Sequence, residues 1–136
     1  MILLVDDEPL NLEVLGAMIA EHGLEVEKAT SGVQAIEMFK KRIEQVERGE
    51  AEMYRIVFLD YSMPLMDGPQ AARAMRALCQ DLERDHLAPY ICCCTAYSEP
   101  TFRANALLAG MDFFLNKPIT SDDLAECLVA QMDILK

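Results

Sequence analysis

Four times in this chain a short apolar run stops on a polar or charged residue, and that repetition constrains the fold more than any single segment does. Ile2-Leu3-Leu4-Val5 ends on Asp6-Asp7, and Ile56-Val57-Phe58-Leu59 ends on Asp60. Tyr90-Ile91-Cys92-Cys93-Cys94 ends on Thr95, and Asp112-Phe113-Phe114-Leu115-Asn116 ends on Lys117. A continuous apolar run of this length reads as a strand covered on both faces, as in the middle of a parallel sheet. In an open α/β sheet the four endings share one rim, outside the carboxyl ends of the strands, where such folds place their ligands.

Helical periodicity fills the intervals. Pro9 suits a first helical turn, Leu12, Leu15, Met18 and Ile19 follow at helical spacing, and Gly23 suits the left-handed position after the last turn. Leu24-Glu25-Val26-Glu27 alternates, which predicts a strand near the sheet edge ending around Ala29. Ser31 or Gly32 opens a second helix with Val33, Ile36, Phe39, Ile43 and Val46 as its apolar stripe. The charged run from Lys40-Lys41-Arg42 to Glu52 reads as its solvated face and exit, with partner binding as the alternative. Asp67 can cap a third helix that buries Ala72, Met75, Leu78, Cys79 and Leu82. A fourth helix is expected from Ser98-Glu99-Pro100 to about Ala109. Thr120 and Asp123 form a capping box for a fifth, with Leu124, Leu128 and Leu135 inward.

The βα unit thus recurs five times with short connections, which predicts a doubly wound (βα)5 sandwich of the flavodoxin-like kind. Strand order 2-1-3-4-5 makes the first and third strands neighbours at the switch point and brings Asp6, Asp7 and Asp60 together. The 136 residues suffice for one domain, taken as 1–136.

A net charge of −11 excludes a phosphate-neutralising nucleic-acid surface. No apolar run approaches the roughly 20 residues needed to span a bilayer, so no membrane contact is expected of this domain. Three of the five cysteines are adjacent in one apolar run, which reads as buried free thiols in a reducing compartment and so suggests a cytoplasmic setting. Met1 stands almost on the first strand, as in a piece cut from a longer protein.

Three carboxylates meeting in one cleft repel one another unless a cation sits among them. Hard oxygen donors with room for water and phosphate oxygens suit Mg²⁺. With the charge offset, one carboxylate can act as a nucleophile toward a phosphoryl group. Asp60 is the candidate nucleophile, with Asp6 and Asp7 holding the metal. Lys117 can supply a positive charge to the phosphoryl oxygens and the Thr95 hydroxyl a hydrogen bond.

In the order Asp6-Asp7, Asp60, the Met63-Pro64-Leu65-Met66-Asp67-Gly68 loop, Thr95 and Lys117-Pro118, the chain resembles a response-regulator receiver domain of two-component signalling over essentially its full length. The resemblance implies phosphoryl transfer to Asp60 from a phosphohistidine on a partner histidine kinase or His-containing phosphotransfer protein. It implies Mg²⁺ held by Asp6, Asp7, Asp60 and the Ser62 position. It also implies a cis Lys117-Pro118 bond, a switch from Thr95 to Phe114, and control of phosphoryl lifetime by Ser62 and Tyr97. The surface of the fourth helix, fifth strand and fifth helix is then the one that changes. Two features depart from the family's usual pattern: the segment before the third strand is long, and Phe114 lacks the hydroxyl of the tyrosine often found there. The loop wording resembles receivers at the end of hybrid histidine kinases.

The rival readings are an aspartyl-nucleophile phosphatase and a receiver-like module that only binds partners. The phosphatase pattern places a second acid two residues after the nucleophile, where this chain has Ser62. The retained acids, hydroxyl and lysine speak against the binding-only module.

Overall fold

The computed structural model describes residues 1–81, 87–96 and 99–132. In it five strands alternate with five helices: β1 (Ile2–Val5), α1 (Pro9–Ala20), β2 (Val26–Ala29), α2 (Gly32–Glu47), β3 (Ile56–Asp60), α3 (Gly68–Asp81), β4 (Tyr90–Thr95), α4 (Pro100–Leu108), β5 (Phe113–Asn116) and α5 (Ser121–Met132). All strand pairings are parallel, in the order β2-β1-β3-β4-β5. This is the doubly wound arrangement that the βα alternation predicts. Its reversal of direction between β1 and β3 opens a crevice at their carboxyl ends.

Because neighbouring strand residues point to opposite faces, each central strand feeds two cores. Leu3, Val57, Leu59 and Cys93 pack with Phe39 of α2 and Met75 of α3. Ile2, Leu4, Phe58, Cys92 and Cys94 pack on the other side with Leu12 and Ile19 of α1 and Leu124 and Leu128 of α5. Full burial of side chains such as Phe58 and Leu59 stabilises the sheet by about 1.5–3 kcal/mol each. The five cysteines are free and buried.

The helix ends follow local chemistry. Ser31 accepts a hydrogen bond from the Gln34 amide at the start of α2, and Thr120 accepts one from the Asp123 amide ahead of α5. Asp67 and Gln70 exchange side-chain and backbone hydrogen bonds of 2.9 and 3.0 Å at the head of α3. Gly23 after α1 and Gly49 after α2 have φ of +75° and +73°.

Several expectations are corrected. β2 begins at Val26, after Leu24 and Glu25, because its ladder runs from Ile2 opposite Val26 to Val5 opposite Ala29. Val33 is 54% exposed: it lies on the outer side of the first turn of α2, and Ala35 is buried there instead. Arg42 is 9% exposed and is not part of the solvated face of the charged run. Its guanidinium pairs with Glu27 of β2 at 2.8 Å and lies 4.9 Å from the ring centre of Tyr54, whose hydroxyl also bonds Glu27. That three-residue cluster fastens the long segment before β3 to α2 and to the sheet edge, and burial pushes the Tyr54 phenol well up. α4, by contrast, falls where expected: it runs from Pro100 to Leu108 between Glu99 and Ala109 as its caps, and Ser98 lies outside the described residues. Asp112 precedes β5 and instead accepts hydrogen bonds from Arg76 of α3 and the Ile91 amide. Leu82 and Leu135 also lie outside the described residues.

Candidate functional site

The rim of the sheet gathers the polar residues that end the strands. Asp60 is the last residue of β3, Thr95 the last of β4, and Asp6 follows β1 directly. Asp6, Asp60 and Thr95 are 7, 7 and 4% exposed, whereas Asp7 is open to solvent. One carboxylate oxygen from each of Asp6, Asp7 and Asp60 falls within a cluster 4.8 Å across. Lys117 follows β5, and its peptide bond to Pro118 is cis. Its Nζ stands 3.0 Å from Asp6 Oδ2 and 3.0 Å from Asp60 Oδ1.

The loop after Asp60 is held by backbone. The Gly68 amide donates to the Tyr61 carbonyl at 2.9 Å, and the Tyr61 amide to the Cys94 carbonyl at 3.1 Å. A Cβ on Gly68 would meet the Asp60 carbonyl oxygen at 2.5 Å, so the close approach that closes this loop requires glycine. Leu65, at φ 69°, stands fully exposed at the tip, and Ser62 is exposed beside the acceptor strand.

Burial raises the Asp60 carboxyl above its ordinary range; the hydrogen bond and charge of Lys117 oppose this, while the charges of Asp6 and Asp7 add to it. Burial acts to lower the Lys117 ammonium, but its hydrogen bonds to Asp6 and Asp60 together with their negative charges outweigh it, and the net shift is upward. The site therefore carries more negative charge than its one ammonium can offset. Its donors are all carboxylate oxygens, the chemistry of a hard divalent cation such as Mg²⁺, and they stand at mutual spacing compatible with one ion.

Asp6 is the most heavily bonded of the three acids. Its Oδ1 accepts the Glu8 amide at 2.9 Å, and its Oδ2 accepts Asn11 Nδ2 at 3.2 Å as well as Lys117. Sequence reading did not single out Asn11 or Glu8; their signal is an acid and an amide three residues apart at a helix start, immediately after Asp6-Asp7. Beside this corner a cleft of about 410 Å³ runs between α1 and the turn after β5, lined by Leu10, Val14, Leu15, Met18, Pro118 and Ile119 and reaching Asp6 and Lys117.

Phe114 is half-buried on β5, packed against the α2–α3 core, and Arg103 of α4 lies over its ring at 4.7 Å. Arg103 was also missed from sequence. Phe102, its neighbour, meets Tyr61 edge to face at 5.3 Å, so α4 touches both the loop beside Asp60 and the strand bearing Phe114. Tyr97 lies outside the described residues.

Comparison with known proteins agrees with this geometry. The response regulator receiver domain model matches residues 2–129. The chain is 31% identical over 128 residues to the sensor protein GacS of Pseudomonas syringae pv. syringae, a match covering 94% of this chain and 13% of that protein. It thus spans a small part of the length of the curated relatives it matches. The receiver domain of the histidine kinase CKI1 from Arabidopsis thaliana, solved complexed with Mg²⁺, superposes with a TM-score of 0.82 at 26% identity, covering 95% of this chain and 89% of that one. A co-crystal structure of the Saccharomyces cerevisiae phosphotransfer protein Ypd1 with the receiver domain of Ssk1 shares the fold, with a TM-score of 0.80 at 22% identity and coverage of 98% and 90%. Among the described residues no helix is long and apolar enough to cross a membrane.

Proposed function

The chain belongs to the response regulator receiver domain family, and from that premise we propose that it is a phosphoacceptor module in which Asp60 takes a phosphoryl group from a protein phosphohistidine. The observation that carries the reading is the position of Asp60: a buried carboxylate, disfavoured as an anion, facing one ammonium at 3.0 Å and grouped with two further acids.

In the transfer, an Asp60 carboxylate oxygen attacks phosphorus. The O–P bond forms as the N–P bond to the donor imidazole breaks, and the electron pair returns to the ring nitrogen, which takes up a proton. Asp6, Asp7 and Asp60, with the Ser62 position, would hold a Mg²⁺ ion, which would supply positive charge against the phosphoryl oxygens. Lys117, already within reach of Asp60 Oδ1, supplies a compact positive charge to one of those oxygens. Thr95 donates its hydroxyl to another, and that inward pull leaves room for the Phe114 ring. Water attack on phosphorus later returns inorganic phosphate and the free carboxylate, so transfer and loss are both promoted by the chain's own residues.

The partner is a histidine kinase or a His-containing phosphotransfer protein. The apolar cleft along α1, which ends at Asp6 and Lys117, is the surface such a partner would use. Five free buried thiols accord with a cytoplasmic setting. Intact mass after exposure to a small phosphodonor, with and without Mg²⁺, tests the reading. One retained phosphoryl group, dependent on Mg²⁺, is expected. Turnover of the donor with no retained label would instead mark a phosphatase.

A further inference from the structure

We propose that Asn11 is a positioning residue for the metal acids, acting through a closed ring of hydrogen bonds that fixes the Asp6 carboxylate. The inference rests on the reading of Asp6 as a Mg²⁺ ligand.

The ring has three members. The Glu8 amide donates to Asp6 Oδ1 at 2.9 Å, Asn11 Nδ2 donates to Asp6 Oδ2 at 3.2 Å, and the same Nδ2 donates to Glu8 Oε2 at 3.4 Å. The two N–H bonds of one carboxamide are thereby matched to two carboxylates, with none left over. Glu8 sits at the N-cap of α1, yet its side chain makes no cap hydrogen bond and turns to Asn11 instead. Asn11 itself is half-buried in the first turn of α1, whose backbone is anchored by the Asn11 and Leu12 amides on the Glu8 carbonyl.

Two consequences follow for the cation. Asp6 is restrained from both oxygens, so its carboxylate plane is set before any ion arrives; Lys117 alone, a flexible ammonium shared with Asp60, could not do this. Glu8, the third of three consecutive acids, is tethered by the amide on the α1 side rather than left to compete for the ion or for Lys117. Hydrogen bonds to ligating carboxylates orient them and tune their affinity, and their loss weakens metal binding.

Asn11→Leu keeps the size of the side chain and removes both donors, and Asn11→Ala removes it altogether. Each is titrated with Mg²⁺ by NMR or calorimetry, and the unfolding midpoint is measured in chelator. In both variants the half-saturating Mg²⁺ concentration is expected to rise about tenfold. The unfolding midpoint in chelator stays near wild type, and phosphorylation by a small donor recovers its full rate at saturating Mg²⁺. Wild-type Mg²⁺ affinity in both variants would overturn the inference while leaving the phosphoacceptor reading intact. A wild-type domain that binds no Mg²⁺ would overturn both. A rate that stays low at saturating Mg²⁺ would give Asn11 a role other than positioning the acids and would equally overturn it.

Discussion

Lys117 Nζ lies 3.0 Å from Asp60 Oδ1 while holding Asp6 Oδ2 at the same distance, so a single ammonium on the loop after β5 bridges the ends of two other strands. Under the proposed reading that lysine both pairs with Asp6 and Asp60, two of the acids proposed to hold the cation, and supplies positive charge to the phosphoryl oxygens.

Lys117→Ala should separate those two duties. Phosphorylation of Asp60 by a small donor is expected to slow about 10²-fold, the scale of losing one fixed positive group at a transition state. Mg²⁺ affinity should hold or rise, because the competing ammonium is gone. Parallel metal titrations and phosphorylation time courses read the two effects.

The charge balance also makes a statement about stability. Burial raises the Asp60 carboxyl, so the folded state holds that proton more tightly than the unfolded chain does. The domain therefore loses stability as pH rises through the raised folded value, and the loss is complete above it. Metal-free Asp60→Asn should accordingly melt above wild type at neutral pH. The gap should close as pH falls below the unfolded carboxyl value of about 4, and saturating Mg²⁺ should abolish it. Thermal unfolding across pH, in chelator and in Mg²⁺, checks the sign.

How much of this was open to reading in the sequence differs from residue to residue. Asp60, Thr95 and Lys117 were legible because an apolar strand that stops on one polar residue must deliver it to the rim. The strand order followed from βα alternation and the handedness of crossovers. Arg42 was not legible: it sits in a charged run, and what buries it is Glu27 on the preceding strand β2, together with the Tyr54 ring in the connection ahead. Val33 fits a helical stripe by spacing, but in the first turn of α2 Gly32 and Ala35 take the buried side and Val33 is left on the outer one. Asn11 and Arg103 act through contacts to Asp6 and Phe114, and contacts of that kind leave no periodic trace.

The path from acceptor to surface should run through Phe114 and α4. Arg103 over the Phe114 ring, and Phe102 against Tyr61, tie α4 to both ends of that path. Phe114→Ala should leave phosphorylation of Asp60 intact while removing the amide shift changes that phosphorylation produces in α4 and α5. Arg103→Ala, which loses a ring contact of about 0.5–1 kcal/mol, should reduce those changes without abolishing them. Spectra of phosphorylated and unphosphorylated forms decide it; changes persisting unaltered in Phe114→Ala would place the coupling elsewhere.

The lifetime of the phosphoryl group should depend on Ser62, which is exposed two residues beyond the acceptor and has no carboxamide to orient an attacking water. Ser62→Asn is expected to shorten that lifetime about tenfold by holding such a water in line. Tyr97→Ala should shorten it as well, as the family resemblance implies for that position. Decay of phosphoprotein at fixed Mg²⁺ after donor removal measures both.

The most direct test sets wild type beside Asp60→Asn, each incubated with phosphorylated histidine phosphotransfer protein and Mg²⁺ and then analysed by intact mass and peptide mapping. Wild type should gain one phosphoryl group on the peptide containing Asp60, and Asp60→Asn should gain none. An equal gain in Asp60→Asn, or a label mapped to another residue, would contradict the account.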